Sequence, residues 1–420
     1  MEFVIKRDGS QVTFNKEKIY DAIEAAATEV RKDGRASMIY SEICDAVEDI
    51  VACCGEFEGD MGVEKIQDIV EEVLMSYNSD VAKAYIRYRY KKEVAREYKA
   101  DFFEAIGSKL EATNVENQNA NVDEHSFGGR VGQASDEMMK EYALNFCMSK
   151  MARENHLNNE IYIHDLSAYA VGMHNCLSIP FDHLLEKGFN TRQADIRPAN
   201  SVDTAFQLLA VIFQLQSLQQ FGGVSATHLD WTMVPYVRKS FAKHYITGLK
   251  YFYDIDCIEK EDIDIFYKSS INNTFIYDQE LAYEYAMDMT IKEVQQAVEG
   301  MYHNLNTLQS RSGNQLPFTS INYGTCTLSE GRMIIKALLE GSLNGVGHLH
   351  KTSIFPCGIF QCMKGVNRKP GDPNYDLFKL ALKSTAKRLY PNYANVDWSG
   401  NAGYDINDPR TYFSTMGLVA

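Results

Sequence analysis

Residues 4–23 read VIKRDGSQVTFNKEKIYDAI, and this stretch decides the fold of the N-terminal part. Asp8-Gly9 lies between two short apolar runs. An Asp-Gly pair in that position indicates a β-hairpin, because both central residues of such a turn adopt positive φ. Asn15 follows as a candidate helix N-cap, and apolar residues beyond it recur at intervals of three and four, the spacing of one helical face. The stretch therefore predicts a hairpin over residues 1–14 and then a helix.

Three further amphipathic helices are predicted after the first. Apolar residues recur at helical spacing over residues 39–51, 63–73 and 81–88. A hairpin with four short helices forms a complete unit of about ninety residues, which is the size of a small domain. We therefore predict a domain over residues 1–95, a connector over 96–124 that contains a polar loop, and a larger unit over 125–420.

The charge of the chain is acidic overall but locally basic. Its 420 residues include 42 Lys+Arg and 57 Asp+Glu, a net charge of −15, which argues against binding to nucleic acid. Residues 83–99 nevertheless hold seven basic residues against two acidic ones. Together with Lys6, Arg7, Lys16 and Lys18 they form a basic cluster that suits a polyphosphate. From charge alone, a solvated helix face is the simpler interpretation.

The composition also bears on where the protein works. No apolar run approaches the roughly 18 residues of a membrane helix, and the start, MEFVIKRDGS, is not a secretory signal. The nine cysteines form no CxxC pair, which is typical of reduced thiols. We therefore expect a cytoplasmic protein that contacts no membrane and whose cysteines are mostly small buried side chains.

The N-terminal pattern resembles a known nucleotide-binding module. With AYIRYRYKKEVARE (84–97), residues 4–23 are similar to the ATP-cone of ribonucleotide reductases. The resemblance implies that ATP or dATP binds here as an allosteric effector, held by Val4, Lys6, Arg7, Gly9, Lys18 and Ile19. Physically, a glycine lets backbone amides approach phosphate while the cations supply countercharge. The sequence contains no Walker A motif, which makes an ordinary P-loop ATPase a poor interpretation.

The larger unit alternates helix-like and strand-like stretches, which favours an α/β fold with a largely parallel sheet. A helix is predicted from Ser135, as N-cap, to His156, and another from Asp372-Pro373 to about Leu389, with the proline in its first position. Residues 203–221 are predicted to form a helix that is apolar on most sides, as expected of a helix in a core or at an interface. Strands are predicted over residues 319–323 and 354–362.

Seven motifs stand out in this unit. They are HSFGGRVGQASD (125–136), IYIHDLSAY (161–169), MHNCLSIP (173–180), FGGVSATHLDW (221–231), SRSGNQLPFTSINYGT (310–325), HLHKTSIFPCGIFQ (348–361) and DPNYDLFKLALKSTAKRLYP (372–391). In this order they resemble the catalytic subunit of the anaerobic, class III ribonucleoside-triphosphate reductases, which are glycyl-radical enzymes. The resemblance implies an ATP-cone followed by an incomplete ten-stranded α/β barrel. It also implies radical reduction of ribonucleoside triphosphates to deoxyribonucleotides.

The same resemblance implies the catalytic residues. Cys176 matches the thiol on the lower face of the sugar, Asn175 matches an amide that binds the ribose, and His164 is expected near the site. Each has an alternative, because a lone cysteine is usually an inert core residue and His164 is as readily a satisfied core histidine. The family pattern also assigns the 203–221 helix to dimerisation and to the specificity nucleotide.

Four other residues are weaker candidates. Cys357 and Cys362 are five residues apart on a predicted strand, which directs their side chains to opposite faces. His348 and His350 would face the same way on an extended segment, but a third ligand at metal spacing is absent. No metal site is therefore predicted.

The end of the sequence departs from the family pattern. In the family, a Met-Gly pair precedes the cysteine that becomes the thiyl radical, whereas here Met416-Gly417 is followed by Leu418. We expect the chain to be an N-terminal portion, inactive alone, with the glycyl radical and a zinc site confined to a missing C-terminal part. An intervening sequence, a frameshift and a shortened expression gene explain this end equally well.

The resemblance also implies partners. They are a ribonucleoside triphosphate substrate, a radical-SAM activating enzyme, formate as a reductant, a second copy in a homodimer and a separately encoded C-terminal fragment. Two alternatives stay open: a nonenzymatic ATP/dATP-binding regulator, and a decaying fragment without a role. A cone-bearing repressor would carry a zinc ribbon before the cone, and here the cone begins at residue 3.

Overall fold

The computed structural model describes residues 3–7, 9–56, 61–111, 126–172, 174–256, 258–272, 279–310, 315–398, 403–405, 407–412 and 414–416. The chain divides into two compact units, Met1–Ala105 and Ile106–Ala420, and each is described by itself. None of the described helices is both long enough and apolar enough to cross a membrane.

The N-terminal unit contains the predicted hairpin. Strands β1 (Phe3–Ile5) and β2 (Gln11–Thr13) pair antiparallel, with Val4 opposite Val12. The turn is closed by the Lys6 N–H, which donates to the Ser10 carbonyl at 2.8 Å. A short strand, β3 (Met61–Gly62), adds to β1 in parallel and was not predicted. The hairpin prediction is therefore confirmed, within a three-stranded sheet.

Four helices complete this unit, as predicted: α1 (Glu17–Lys32), α2 (Tyr40–Gly55), α3 (Val63–Tyr77) and α4 (Ser79–Glu111). Lys16 holds the N-cap position of α1 without a side-chain cap, so the predicted N-cap, Asn15, lies one residue too early, although its side chain accepts from the Glu17 N–H at 2.8 Å. The apolar faces of the helices meet in one core that includes Ile23, Ile50 and Leu74. Helix α4 continues to Glu111, so the predicted connector begins as a helix, and its polar loop lies outside the described residues.

The larger unit is built on a parallel sheet, as the alternation predicted. Its strands are β4 (Leu177–Ser178), β7 (Val224–Ala226), β8 (Thr319–Tyr323), β9 (Cys357–Cys362) and β10 (Asn392–Asn395), in the spatial order β10-β9-β8-β7-β4. A separate antiparallel pair joins β5 (Phe189–Asn190) to β6 (Asp195–Ile196). Five parallel strands with helical crossovers confirm the α/β class and are consistent with part of a ten-stranded barrel.

Helices cover one face of this sheet and extend from it. They are α5 (Phe127–Tyr142), α6 (Lys150–Leu157), α7 (Leu166–Tyr169), α8 (Phe181–Lys187), α9 (Val202–Ser217), α10 (Leu229–Thr232), α11 (Val234–Tyr253), α12 (Lys260–Lys268), α13 (Glu280–Leu305), α14 (Ser329–Asn344) and α15 (Tyr375–Arg388). Helix α13 packs against both α9 and α11. Contacts on several sides explain why the α9 sequence is apolar nearly all round.

Two predicted helix starts in the larger unit were wrong. Helix α5 begins at Phe127, where the Ser126 hydroxyl accepts from the Gly129 N–H at 3.0 Å, so Ser126 and not Ser135 is the N-cap. Two glycines inside the first turn concealed this start, since glycine is a poor helix former. A π-helical turn over Ala143–Cys147 then separates α5 from α6. Helix α15 begins at Tyr375, so the predicted first-position proline precedes the helix.

Candidate functional site

The six predicted nucleotide-binding residues fall into two groups around the hairpin. Val4 and Ile19 are buried in the core of the N-terminal unit, where they hold the hairpin against the first turn of α1. Lys6, Arg7, Gly9 and Lys18 are exposed. The fold therefore leaves three cations and one glycine exposed, with Lys6, Arg7 and Gly9 in the hairpin turn and Lys18 in the first turn of α1. Their role in nucleotide binding stays a prediction.

Arg7 is engaged by side chains of α3 that the sequence did not indicate as partners. Its Nε donates to the Glu64 carboxylate, and its Nη2 donates to Gln67 Oε1 at 3.1 Å. Arg89 of α4 donates to the other oxygen of Glu64 at 2.9 Å. The hydrogen bond from Arg7, and then that from Arg89, hold the pKa of Glu64 below its ordinary value.

In the larger unit, the sheet has one apolar face and a second face that carries most of its polar side chains, together with Cys357 and Ile359. Val224, Ile321 and Tyr323 belong to the core beneath the helices. Strand alternation turns their neighbours the other way, and we call this second surface the polar face; its polar side chains are those of Ser178, Ser225, Ser320, Asn322 and Gln361. All of these except Ser178 are buried. Buried polar groups need hydrogen-bond partners, so this face must be organised by specific contacts.

Asn322 makes such contacts at the centre of the polar face. Its Nδ2 donates to Ser225 Oγ at 3.2 Å, to the Ala226 carbonyl at 3.1 Å and to the Thr415 carbonyl at 3.0 Å. Its Oδ1 accepts from the Thr415 N–H at 3.2 Å. The side chain therefore binds the backbone of Thr415 from both sides and holds residues 414–416 against the sheet.

Cys176 lies at the same end of the polar face as this segment. The next residue, Leu177, donates its N–H to the Gly223 carbonyl at 3.1 Å, which joins β4 to β7. A Cβ added at Gly223 would lie 3.6 Å from the Phe318 carbonyl oxygen and 3.9 Å from the Met416 Sδ. Cys176 is two residues before Ser178, so strand alternation places both residues on the polar face. Cys176 is half-buried. Cys176 and Met416 therefore both approach Gly223.

The Gly222-Gly223 pair permits this close approach. A Cβ on Gly222 would lie 2.0 Å from the Asn175 carbonyl oxygen, a distance that no side chain tolerates. The buried Gln220 amide fastens the same turn by donating to the Gly223 carbonyl at 2.6 Å. Asn175 is exposed, and its Oδ1 is 3.7 Å from the Cys176 Sγ. The missing side chain on Gly222 therefore leaves room for Asn175, the residue before Cys176, to pack against this turn.

Two known protein families match this chain, one in each of its parts. A family model described as anaerobic ribonucleoside-triphosphate reductase matches residues 118–416, and an ATP cone domain model matches residues 2–94. The chain belongs to the anaerobic ribonucleoside-triphosphate reductase family. The resemblance found in the sequence is therefore confirmed, both for the cone and for the larger unit.

Curated reductases of this family are similar along most of the chain. The Haemophilus influenzae protein is 32% identical over 400 residues, covering 94% of this chain and 52% of that protein. The Escherichia coli protein is 30% identical over 440 residues, covering 99% and 57% respectively. The chain therefore spans about half the length of these relatives. The solved Thermotoga maritima anaerobic ribonucleotide reductase with dATP and CTP matches 74% of this chain and 51% of its own, at 15% identity and a TM-score of 0.47.

His164 stands apart from the other predicted site residues of this reductase-family chain. Its side chain is 75% exposed and pairs with Asp165 of the same loop. A satisfied core histidine is therefore ruled out. Within the described residues no hydrogen bond joins His164 to Asn175 or Cys176. Its catalytic role stays a prediction with no geometric support.

The weaker cysteine and histidine candidates resolve differently. Cys357 and Cys362 are five residues apart on β9, which places them on opposite faces of the strand, as predicted. Burial raises the pKa of both thiols. His350 adopts a left-handed backbone conformation, with φ of 50°, in a turn. The backbone at His350 is therefore not extended, and the condition under which His348 and His350 would face the same way is not met. Across the described ranges, no three His, Cys, Asp or Glu side chains are close enough to hold a metal ion.

Asp230 is a buried residue that the sequence reasoning missed. Its Oδ2 accepts three backbone N–H groups, from Gly324 at 2.9 Å, Thr325 at 3.0 Å and Cys326 at 2.9 Å. Complete burial raises the pKa of this carboxyl above its ordinary value, and the hydrogen bonds from Cys326 and Gly324 oppose that shift. Asp230 lies in the motif FGGVSATHLDW (221–231) and fixes the loop that leaves β8. The motif was noted, but a partner 94 residues away leaves no local signal.

Proposed function

We propose that this chain carries the substrate-reducing face and the effector site of an anaerobic ribonucleoside-triphosphate reductase. Because it spans about half the length of its curated relatives, their whole activity is extended to it only as a proposal. One observation carries the proposal: Cys176 and the 414–416 segment approach Gly223 together on the polar face. In the family, the radical cysteine follows the segment that corresponds to Met416.

Cys176 supplies the thiol that this reaction needs. Removal of the ribose 2′ hydroxyl as water requires a hydrogen donor on the lower face of the sugar, and a half-buried thiol beside the 414–416 segment can act as one. Asn175, adjacent to the thiol, would donate a hydrogen bond from its amide to a ribose hydroxyl. The buried polar face would keep bulk water from a radical. The glycyl radical supplies the one-electron oxidant and, like the zinc site, belongs by resemblance to the C-terminal part of the family.

The effector site is proposed at the hairpin of the N-terminal unit. Lys6 and Arg7 in the turn and Lys18 in the first turn of α1 are exposed cations. Gly9 adopts a φ of 79°, which favours glycine, and its lack of a side chain leaves the turn open. Cations with exposed backbone amides are the usual means of binding a polyphosphate. ATP and dATP are the effectors that we assign to this surface.

The partners of the reaction are proposed on the family resemblance. They are a radical-SAM activating enzyme, formate as reductant, a second copy of the chain and a polypeptide that carries the C-terminal part. The competing function is a nonenzymatic regulator that binds ATP or dATP. The observation in its favour is that the N-terminal unit is compact by itself.

An anaerobic reduction assay tests the proposal. The chain is mixed with a second polypeptide that carries the C-terminal part of a curated relative, with activating enzyme, S-adenosylmethionine, reductant and formate. We expect deoxynucleotide only when both polypeptides are present. ATP binding without any deoxynucleotide from the mixture would favour the regulator instead.

A further inference from the structure

The effector site contains an acidic residue that faces its central cation. Arg7 donates through Nε to Glu64 and through Nη2 to Gln67, so one edge of its guanidinium is taken up by α3. The side chains of Arg7 and Glu64 are 39% and 46% exposed, so the contact lies within reach of a ligand. A guanidinium binds carboxylate and phosphate through the same paired N–H geometry. Glu64, with Gln67, therefore holds N–H groups of Arg7 that a phosphate would use.

Glu64 also has a second, deeper partner. Arg89, which is only 17% exposed, donates to the other Glu64 oxygen at 2.9 Å, to Asp68 at 2.8 Å and to Glu71 at 2.7 Å. These carboxylates lie at intervals of four and three residues on one face of α3. If Glu64 leaves Arg7, it keeps an ion pair with Arg89 and is not left without countercharge. The free-energy cost of moving Arg7 from Glu64 to another anion is therefore small.

We propose that Glu64 competes with the nucleotide's phosphate for Arg7 and thereby sets the affinity of the effector site. This inference rests on the proposed nucleotide binding and names the regulation of that same site. In one state Arg7 binds Glu64 and Gln67, and α3 is joined to the hairpin turn. In the other, Arg7 binds phosphate and Glu64 is retained by Arg89 alone. The apparent dissociation constant rises as the fraction of the binding-competent state falls.

Three substitutions in the 420-residue chain test this competition by calorimetric titration with ATP. Glu64→Gln removes the competing charge with little change of shape, and we expect it to tighten binding about three- to tenfold. Gln67→Glu adds a second carboxylate opposite Arg7 and should weaken binding several-fold. The matched control is Glu72→Gln, which makes the same charge change at an exposed position of α3 and should alter affinity less than about twofold.

The choice of ligand separates phosphate from base. Because the competition concerns phosphate, inorganic triphosphate should show the same order of affinities as ATP. High salt should reduce the differences between the variants, since these charges are exposed and are screened. Circular dichroism verifies that each variant is folded. If Glu64→Gln disturbs the fold, the ATP affinity of Gln67→Glu alone tests the competition for Arg7.

The outcomes distinguish this inference from the proposed function. Tighter binding by Glu64→Gln than by Glu72→Gln, with weaker binding by Gln67→Glu, supports the competition. Equal affinities of Glu64→Gln and Glu72→Gln, or unaltered binding by Gln67→Glu, would overturn it while leaving the effector site in place. No binding of ATP or triphosphate by any form would reject the effector site itself and this inference with it.

Discussion

The two units of the chain organise their candidate sites in opposite ways. Around the hairpin, the candidate ligands are the exposed cations Lys6, Arg7 and Lys18, and Arg7 forms an exposed ion pair with Glu64. On the polar face, Asn322 and its neighbours are buried, and their contacts join strands far apart in the chain. Exposed ion pairs exchange partners readily, whereas buried hydrogen bonds fix one geometry. The first arrangement suits a reversible effector and the second suits a reaction that must exclude water.

The sharpest test of this contrast is Asn322→Leu, which keeps the size of the side chain and removes its hydrogen bonds. The Thr415 N–H and carbonyl would lose their partner in a partly buried place, so we expect a loss of about 2–3 kcal/mol from the larger unit. Urea unfolding measures the stability, and hydrogen exchange at residues 414–416 should rise. Unchanged exchange there would show that Asn322 does not hold the segment.

A second test concerns the pair of glycines in front of β7. Gly222→Ala would bring a Cβ to 2.0 Å from the Asn175 carbonyl oxygen, so we expect a loss of about 1–3 kcal/mol and a faster reaction of the Cys176 thiol with iodoacetamide. Gly223→Ala is the matched control, because its nearest contacts would be 3.6 and 3.9 Å away. Equal effects of the two substitutions would contradict the proposed packing of Asn175.

These tests address the part of the molecule that the sequence predicted least. The hairpin, the helices and the parallel sheet followed from local signals: the Asp8-Gly9 pair, helical spacing and strand alternation. The pairing of Arg7 with Glu64 spans 57 positions and that of Asn322 with Thr415 spans 93. Such partners are selected by tertiary packing, which leaves no periodic pattern in the sequence. Cys176 could be singled out only through the family motif.

On the hairpin side, Arg7→Ala should weaken ATP binding by about 1.5–3 kcal/mol, the range of a hydrogen bond to a charged group. The stability of the larger unit should not change. Calorimetric titration measures the first quantity, and the second is read from the unfolding of the Ile106–Ala420 unit. Unaltered ATP affinity would remove Arg7 from the site.

The smallest effect concerns acid. Arg7 and Arg89 depress the pKa of Glu64 from its ordinary value of 4.5, so this pairing stabilises the folded unit above that pH. The contribution is lost as the pH falls through the lower, folded-state pKa. Glu64→Gln should therefore flatten the acid dependence of the thermal midpoint of the N-terminal unit. An identical acid dependence in both proteins would show that the pairing contributes nothing to stability.

The central claim is that Cys176 reduces the substrate while the hairpin binds the effector. It is tested most directly by Cys176→Ser in the two-polypeptide assay of anaerobic reduction, with Cys53→Ser, an exposed thiol of the N-terminal unit, as control. The account predicts no deoxynucleotide from Cys176→Ser, the same ATP affinity as the parent chain, and full product from Cys53→Ser. Deoxynucleotide formation by Cys176→Ser at the rate of the parent chain would contradict it.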